Sequence, residues 1–371
     1  GRGADGTRRR SVARAWGRRL GAIAIAAAWG ATVSGATAAG ATAQTIPPLP
    51  VETATLDNGL EVIVSTDTSA PIVAVNLRYG VGSGHELPGR TGFAHFFEHL
   101  LFEETENLED GELDRMVTEA GGVVNGRTNT DRTEYTELVP SHHLERVLWT
   151  HAERMRRLRV SPELFERQRD IVKEERRLRI ENQPYGEAQI TLDTLAHDYA
   201  PYDHSVIGSM ADLDAAGVED VRAFYDRWYR PNNARLVVVG HTTMAEVLPM
   251  VERWFGAFER GLEPTPLPDA GPAAPPRTDG PRRAEVTDRL ALLPLIYLNY
   301  PIPGGGHPDV APLRVLGQIL GGGDSSRLAR ALVREGRVAS QIVSQIVVRS
   351  GPGLFVAGAL ANTGVEAEVV E

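Results

Sequence analysis

The sequence predicts an α+β fold in which one arrangement of strands and helices is used twice, and three observations carry that expectation. Over 53–81, short apolar–polar alternations separated by turn residues read as half-buried strands. Over 92–179 the apolar period lengthens to that of amphipathic helices, with a strand-like stretch inside it at 123–139. After a Pro-, Ala- and Gly-rich stretch at 263–280, the order strand, helix, helix, strands begins again, so the second half reads as a diverged repeat of the first.

Bulk properties fit this reading. The chain has 371 residues, with 42% apolar and 24% charged side chains, which suits a globular protein of two domains. A net charge of -10 argues against non-specific nucleic-acid binding. No cysteine is present, so a cysteine nucleophile and disulfides are excluded. The run Gly321-Gly322-Gly323 is not followed by Lys-Ser or Lys-Thr, so it fails as a nucleotide phosphate loop and reads as a tight helix–strand junction.

The first 45 residues differ from the rest. A basic block (Arg8, Arg9, Arg10, Arg14, Arg18, Arg19) precedes an Ala-rich apolar run from Leu20 to Ala39 and the small residues Ala41-Thr42-Ala43. That is the pattern of a secretory signal peptide, with the mature chain starting near Gln44 and working in a bacterial periplasm or outside the cell. The alternative is a single anchor, which would leave the chain membrane-associated if the segment is retained. The expected boundaries are therefore 1–45 for the signal and lead-in, 46–262 for a first domain, 263–280 for a linker and 281–371 for a second, incomplete domain.

In order, Thr53–Ser65 reads as strand, turn at Asp57-Asn58-Gly59, and strand, and Pro71–Val81 as a strand running into a Gly-rich loop. A helix follows from Gly92, with Thr91 as its expected cap. Leu108–Glu119 is a second helix, ended by Gly121-Gly122; two strands and the amphipathic helix His142–Arg157 come next. Ser161-Pro162-Glu163 starts a helix to about Arg179. Val218–Trp228 and Met244–Phe255 are helical and flank a buried strand at Ala234–Val239. In the second half, Ala291–Tyr300 is a strand, Asp309–Leu320 a helix, and Ser340–Arg349 and Gly353–Ala361 are strands.

The chemistry concentrates in His95-Phe96-Phe97-Glu98-His99. On a helix, His95 and His99 lie one turn apart on one face and can point at a single metal ion, with the Glu98 carboxylate beside them. The helix from Pro162 carries a stripe of Leu164, Gln168, Ile171, Glu175 and Leu178, in which Glu175 places a carboxylate on the face expected to meet the core. A buried charge is costly unless paired or metal-bound, so Glu175 is the candidate third ligand. Two imidazoles and a carboxylate suit zinc with one open position for water. As a chance motif, His95 and His99 would instead be hydrogen-bonded core histidines.

These residues, with Glu175 standing 76 positions after His99, resemble the inverzincin peptidases of the pitrilysin and mitochondrial-processing-peptidase family. Also in the family's places are Gly92-Phe93-Ala94, Gly121-Gly122, the run Arg169 to Glu175, Pro201-Tyr202, Ile207-Gly208, Tyr229 to Asn233 and Gly322 to Leu328. The resemblance implies two homologous α+β domains of the LuxS/MPP-like metalloenzyme type, each a mainly antiparallel sheet packed against helices. The first would carry one Zn2+ on His95, His99 and Glu175, with Glu98 as general base. The second would be inactive and hold substrate. It further implies a zinc endopeptidase acting on peptides or unfolded segments, paired as a homodimer or with a second unit of the family. Asn125 on the edge strand and Arg327 in Ser325-Ser326-Arg327-Leu328 would touch substrate, and Gln168 would support the ligands from behind. The alternative under the same fold is a catalytically weak or inactive binding subunit of a two-chain peptidase. Two departures bear on it: Gln168 stands where many members have a carboxylate, and Ser340 where active members often have a tyrosine.

Overall fold

The computed structural model describes residues 48–196, 198–269 and 280–371. The expected signal peptide over 1–45, the start near Gln44 and the middle of the linker at 270–279 lie outside these residues. Leu49–Glu371 forms one compact unit.

The first half opens with strands β1 (Glu52–Thr55), β2 (Glu61–Thr66) and β3 (Ile72–Tyr79). The turn between β1 and β2 needs glycine, because Gly59 sits at φ +91°. Beside it Asn58 accepts from the Leu60 amide (3.2 Å) and donates to the Phe255 carbonyl (2.8 Å), tying the turn to a helix nearly 200 residues away. Helices α1 (Phe93–Leu100) and α2 (Glu112–Glu119) follow, then the hairpin β4 (Val123–Thr128) and β5 (Thr133–Pro140). Next come α3 (Leu144–Arg156), α4 (Pro162–Arg176) with a wide π turn at Arg177–Glu181, α5 (Gly186–Ala196), α6 (Met210–Ala215) and α7 (Val218–Trp228). Strand β6 (Ala234–Gly240) and helix α8 (Met244–Phe255) complete this half.

The six strands form one sheet in the order β1-β2-β6-β3-β5-β4. All neighbours are antiparallel except β2 and β6. One face is covered: Val62, Val64, Val73, Val75, Leu77, Leu236 and Val238 are buried under α1, α3 and α8, where Phe97, Leu100, Leu148, Val247, Val251 and Phe255 are buried too. Strand period then puts the alternate residues on the other face, where Ile72, Val123, Leu138 and Val239 are exposed. Among the described residues strand β4 has one neighbour, β5, and its outer edge is unpaired.

The second half contains β7 (Leu295–Ile302), α9 (Val310–Gly321), a π turn at Ala329–Glu335, β8 (Ala339–Val347), β9 (Gly353–Ala361) and a short α10 (Ala367–Val370). Its sheet runs β7-β9-β8, antiparallel throughout. That is the order and sense of β3-β5-β4 in the first half, so the repeat expected from the sequence is present in the topology. The glycines at the end of α9 serve close packing. A Cβ on Gly321 would stand 2.0 Å from the Ser344 Cβ, and the Ser344 hydroxyl donates to the Gly317 carbonyl (3.1 Å).

A polar joint holds the halves together. Asp131, in the turn between β4 and β5, accepts from the Ser350 amide (2.8 Å) and from the Tyr202 hydroxyl. Tyr202 in turn accepts from the Gly351 amide (3.0 Å), and the Arg349 guanidinium lies 5.0 Å from its ring centre. Beside this joint is a cleft of about 720 Å³ lined by Gly80, His85, Asp131, Tyr199 and His307 among others.

Two local expectations change. Thr91 does not cap α1: its hydroxyl donates to Asp212 and accepts from the Ser209 amide, binding the loop before α1 to the start of α6. The buried face of α4 is Leu164, Phe165, Gln168 and Val172, while Ile171 and Leu178 are exposed. The stripe read from the sequence is offset around the helix because Phe165 and Val172, which pack on α1 and the core, outweigh Ile171.

Candidate active site

Helix α1 is short and begins without a side-chain cap of its own. Its N-cap, Gly92, is in the left-handed region at φ +93°, and a Cβ there would stand 2.7 Å from the Ile207 carbonyl oxygen. Glycine is needed on both counts. Two of the free amides at its start are taken by Glu86, whose two carboxylate oxygens accept from Gly92 (2.8 Å) and Ala94 (2.7 Å). At the other end, the buried Tyr135 hydroxyl of β5 donates to the Phe97 carbonyl (3.0 Å). Phe97 stacks on Phe224 (5.4 Å) and Phe96 meets Phe165 edge-on (5.4 Å). That aromatic contact sets α4 against α1 and brings the last turn of α4 to the histidines.

The result is a convergence of lone pairs. Glu175 Oε2 lies 3.1 Å from His99 Nε2 and 3.6 Å from His95 Nε2, and one ligand atom from each residue lies within 4.8 Å of the others. Ligand atoms bonded to a tetrahedral zinc at about 2.1 Å stand about 3.4 Å apart, so the spacing fits the ion. Glu175 Oε2 is buried and has no aligned hydrogen bond among the described residues, which also fits a metal ligand rather than a structural carboxylate. Its other oxygen is held by Arg179 (2.7 Å).

The electrostatics suit the same reading. Burial pushes His95 down to about 4, with the His99 charge adding to it against the pull of Glu175, so the ring is neutral and its lone pair available. Glu175 is held below the usual carboxylate range by its 3.1 Å contact with His99, against burial, and by its electrostatic attraction to the two imidazoles and the Arg179 guanidinium. Glu98 moves the other way. Burial raises it, Thr128 hydrogen bonds oppose the rise, and the Glu175 charge adds to it, leaving a more basic carboxylate. Room for Glu98 comes from Gly126 on β4, where a Cβ would stand 2.9 Å from the Glu98 Cγ and 2.8 Å from the Phe102 ring.

His95, His99, Glu98 and Glu175 are thus brought together, and the remaining candidates lie around or away from them. Gln168 is buried, but its amide donates to Glu103, beyond the end of α1, rather than to a ligand. Asn125 is exposed on β4, and because neighbouring Gly126 faces Glu98, its side chain stands on the opposite face of the sheet. Arg327 is exposed before the π turn of the second half. Ser340 sits at a bulge in β8, where the register passes from Ala339 to Gln341, and its hydroxyl donates to the Leu360 carbonyl (3.2 Å). The sequence reading missed Glu86, Gly126, Tyr135 and Arg179. Only Arg179 had a visible signal, its helical spacing of four from Glu175.

Comparison with known proteins places the chain in a family. Residues 61–199 match the family profile described as insulinase (peptidase family M16), and residues 216–371 match the one described as the peptidase M16 inactive domain. The second profile starts before β6, so its match includes the last strand and helix of the first sheet's half. The zinc protease PqqE of Helicobacter pylori is 34% identical over 324 residues, covering 86% of this chain and 72% of that protein. A solved protease structure from Helicobacter pylori superposes with a TM-score of 0.81 at 33% identity, covering 87% of this chain and 78% of that one. A peptidase M16 inactive domain from Pseudomonas fluorescens shares the fold at a TM-score of 0.71 and 17% identity, over 85% of this chain and 75% of that one. With the similarity running through both halves, the chain belongs to the M16 family of peptidases.

Proposed function

We propose that the chain is a zinc-dependent endopeptidase that cuts extended peptides or unfolded segments. The observation that supports it most is the convergence of His95 Nε2, His99 Nε2 and Glu175 Oε2, with Glu98 one helical step away against a free sheet edge. His95, His99 and Glu175 would hold the zinc. When bound, zinc supplies a Lewis acid that polarises the peptide carbonyl and acidifies water. The Glu98 carboxylate takes a proton from the attacking water and gives it to the departing amine, work for which a raised basicity is suited. The outer edge of β4 supplies unpaired backbone groups, and a substrate strand added there would pass beside Glu98.

Partner and location belong to the same proposal. The second half lies within the match to the peptidase M16 inactive domain, and we propose that it holds substrate and that the chain pairs with a second unit of its family. The basic and apolar segment at 1–45 would export it. No described helix is long and apolar enough to cross a membrane.

The test is to measure bound zinc and hydrolysis of an unstructured peptide for the chain and for Glu98→Gln. We expect about one zinc per chain in both and a loss of turnover of roughly 10³-fold in the variant. Equal turnover in the two would remove Glu98 from the mechanism. An inactive, zinc-loaded wild-type chain would favour the binding-subunit reading.

A further inference from the structure

We infer that His204 is a positioning residue for the zinc-binding helix, holding its first turn, and with it His95, through the buried carboxylate of Glu86. The inference rests on reading His95, His99 and Glu175 as the zinc site. Helix α1 spans only Phe93–Leu100, so an error at its start is carried to His95, its third residue. Gly92 has no side chain to cap that start, and Glu86 replaces it with bonds to the Gly92 and Ala94 amides. The Glu86 side chain is wholly buried, so water cannot hold its free lone pairs. His204 does so: its Nε2 lies 3.2 Å from Glu86 Oε2 and 3.0 Å from the Ser83 carbonyl oxygen.

The partners of the ring decide its protonation. Nε2 faces the Ser83 carbonyl and the Glu86 carboxylate, and Nδ1 lies 3.4 Å from Asp203 Oδ1. All three are acceptors, so the doubly protonated imidazolium turns an N–H toward each side, sharing the Nε2 proton between Ser83 and Glu86, whereas a neutral ring leaves one side facing a lone pair. Glu86 and Asp203 are the charged groups that face the ring among the described residues. Burial pushes the ring's proton affinity down, but the Glu86 bond and charge, with Asp203 and Ser83, outweigh it and raise the pKa above the ordinary 6.5. A raised histidine stabilises fully below its unfolded value and loses that contribution as pH climbs through the folded one. Burial raises Glu86 as well, against its bonds to His204, Ala94 and Gly92, so the clamp is strong in mild acid as long as that carboxylate stays ionised, and weakens in base.

The closing experiment measures the zinc dissociation constant by chelator competition for the full chain and for His204→Gln, from about pH 6 to about pH 8.5. Glutamine keeps a donor toward Glu86 but cannot carry the charge. Both proteins keep a bond to the carboxylate, but only the imidazolium adds an opposite charge, so the variant should bind zinc about five-fold more weakly at the acid end, the gap closing toward the basic end. Protonation of the ligands is common to both proteins and cancels in the ratio. A ratio of one throughout, or a gap that does not change with pH, overturns the inference. If the variant fails to fold, hydrogen exchange at the Ala94 amide of the zinc-free wild-type chain, referenced to the core amide of Val75, reads the same clamp. Its relative protection should fall as pH rises, and constant protection overturns the inference. A wild-type chain that binds no zinc would defeat the proposed peptidase site, while the Ala94 amide would still report on the clamp.

Discussion

The strands β3-β5-β4 and β7-β9-β8 have the same order and sense, yet they are buried to different depths. In the first half the sheet carries large side chains such as Tyr79, Tyr135 and Leu77 under a layer of aromatic and aliphatic helix residues. In the second half the corresponding cluster is built on Ala339, Ala359, Ala361 and Val370, with Leu354, Phe355 and Ile302 the large side chains its sheet buries. Its helix α9 leaves Val315 60% and Ile319 46% exposed, whereas α1 buries six of its eight residues, Phe93, Ala94, His95, Phe96, Phe97 and Leu100. One topology thus serves two ends. Under the proposed function, a zinc site whose ligands must converge within a few tenths of an ångström would need a dry, over-determined helix, while a surface meeting another chain could be shallow.

Four changes would break or sharpen that contrast. The largest effect is expected for Glu175→Ala, which removes one of three ligand atoms. Zinc affinity should fall by more than about 100-fold, above the range for loss of an outer partner, as chelator competition would show. Next, Gly126→Val puts a branched side chain against Glu98 Cγ and the Phe102 ring. Peptide turnover should drop by about two orders of magnitude, in line with loss of a general base, while bound zinc is retained. In the second half, Gly321→Ala forces α9 off β8 at Ser344 and should cost about 1–3 kcal/mol in denaturant unfolding without changing zinc affinity. Smallest of all, Val315→Asp on the exposed side of α9 should change stability by less than about 0.5 kcal/mol. If Val315→Asp instead weakened the chain as much as Gly321→Ala does, the second half would be as tightly packed as the first.

The pH profile offers a separate check. The basicity of Glu98 is raised, so protonation should remove the base, and with it turnover, at a pH above the ordinary carboxylate range. The acid limb should therefore lie higher than for an exposed glutamate, and should vanish in Glu98→Gln together with the activity.

Much of this was legible in the sequence because it is written in periods. The pair His95 and His99 is a helical step, and the restart after residue 280 preserves the order of elements. Glu175 was found from a stripe that was itself misplaced. Ile171 looked like a core residue by spacing, but the packed side is set by Phe165 and Val172, which the stripe left out. A carboxylate near the edge of either face survives that error. What could not be read were contacts between segments far apart in the chain. Glu86 caps a helix from six residues upstream with help from His204, 118 residues away. Gly126 matters because of what stands opposite it, a fact with no local pattern. The cap expected of Thr91 failed because Asp212, brought in by α6, captured its hydroxyl.

The joint at Asp131 has a mechanical consequence. This residue lies in the turn of the hairpin whose outer strand, β4, is the free edge beside Glu98, and it is fastened to Ser350 of the second half. The hairpin is thus tied to the second half at its turn while its outer strand passes Glu98 at Gly126. Under the proposed function, a tilt of the second half, whether from a partner docking or from a long substrate pressing on it, would shift the strand on which a peptide is laid while leaving His95, His99 and Glu175 in place. Asp131→Ala should accordingly raise KM and leave zinc affinity where it was, separating how the peptide is threaded from how it is cut.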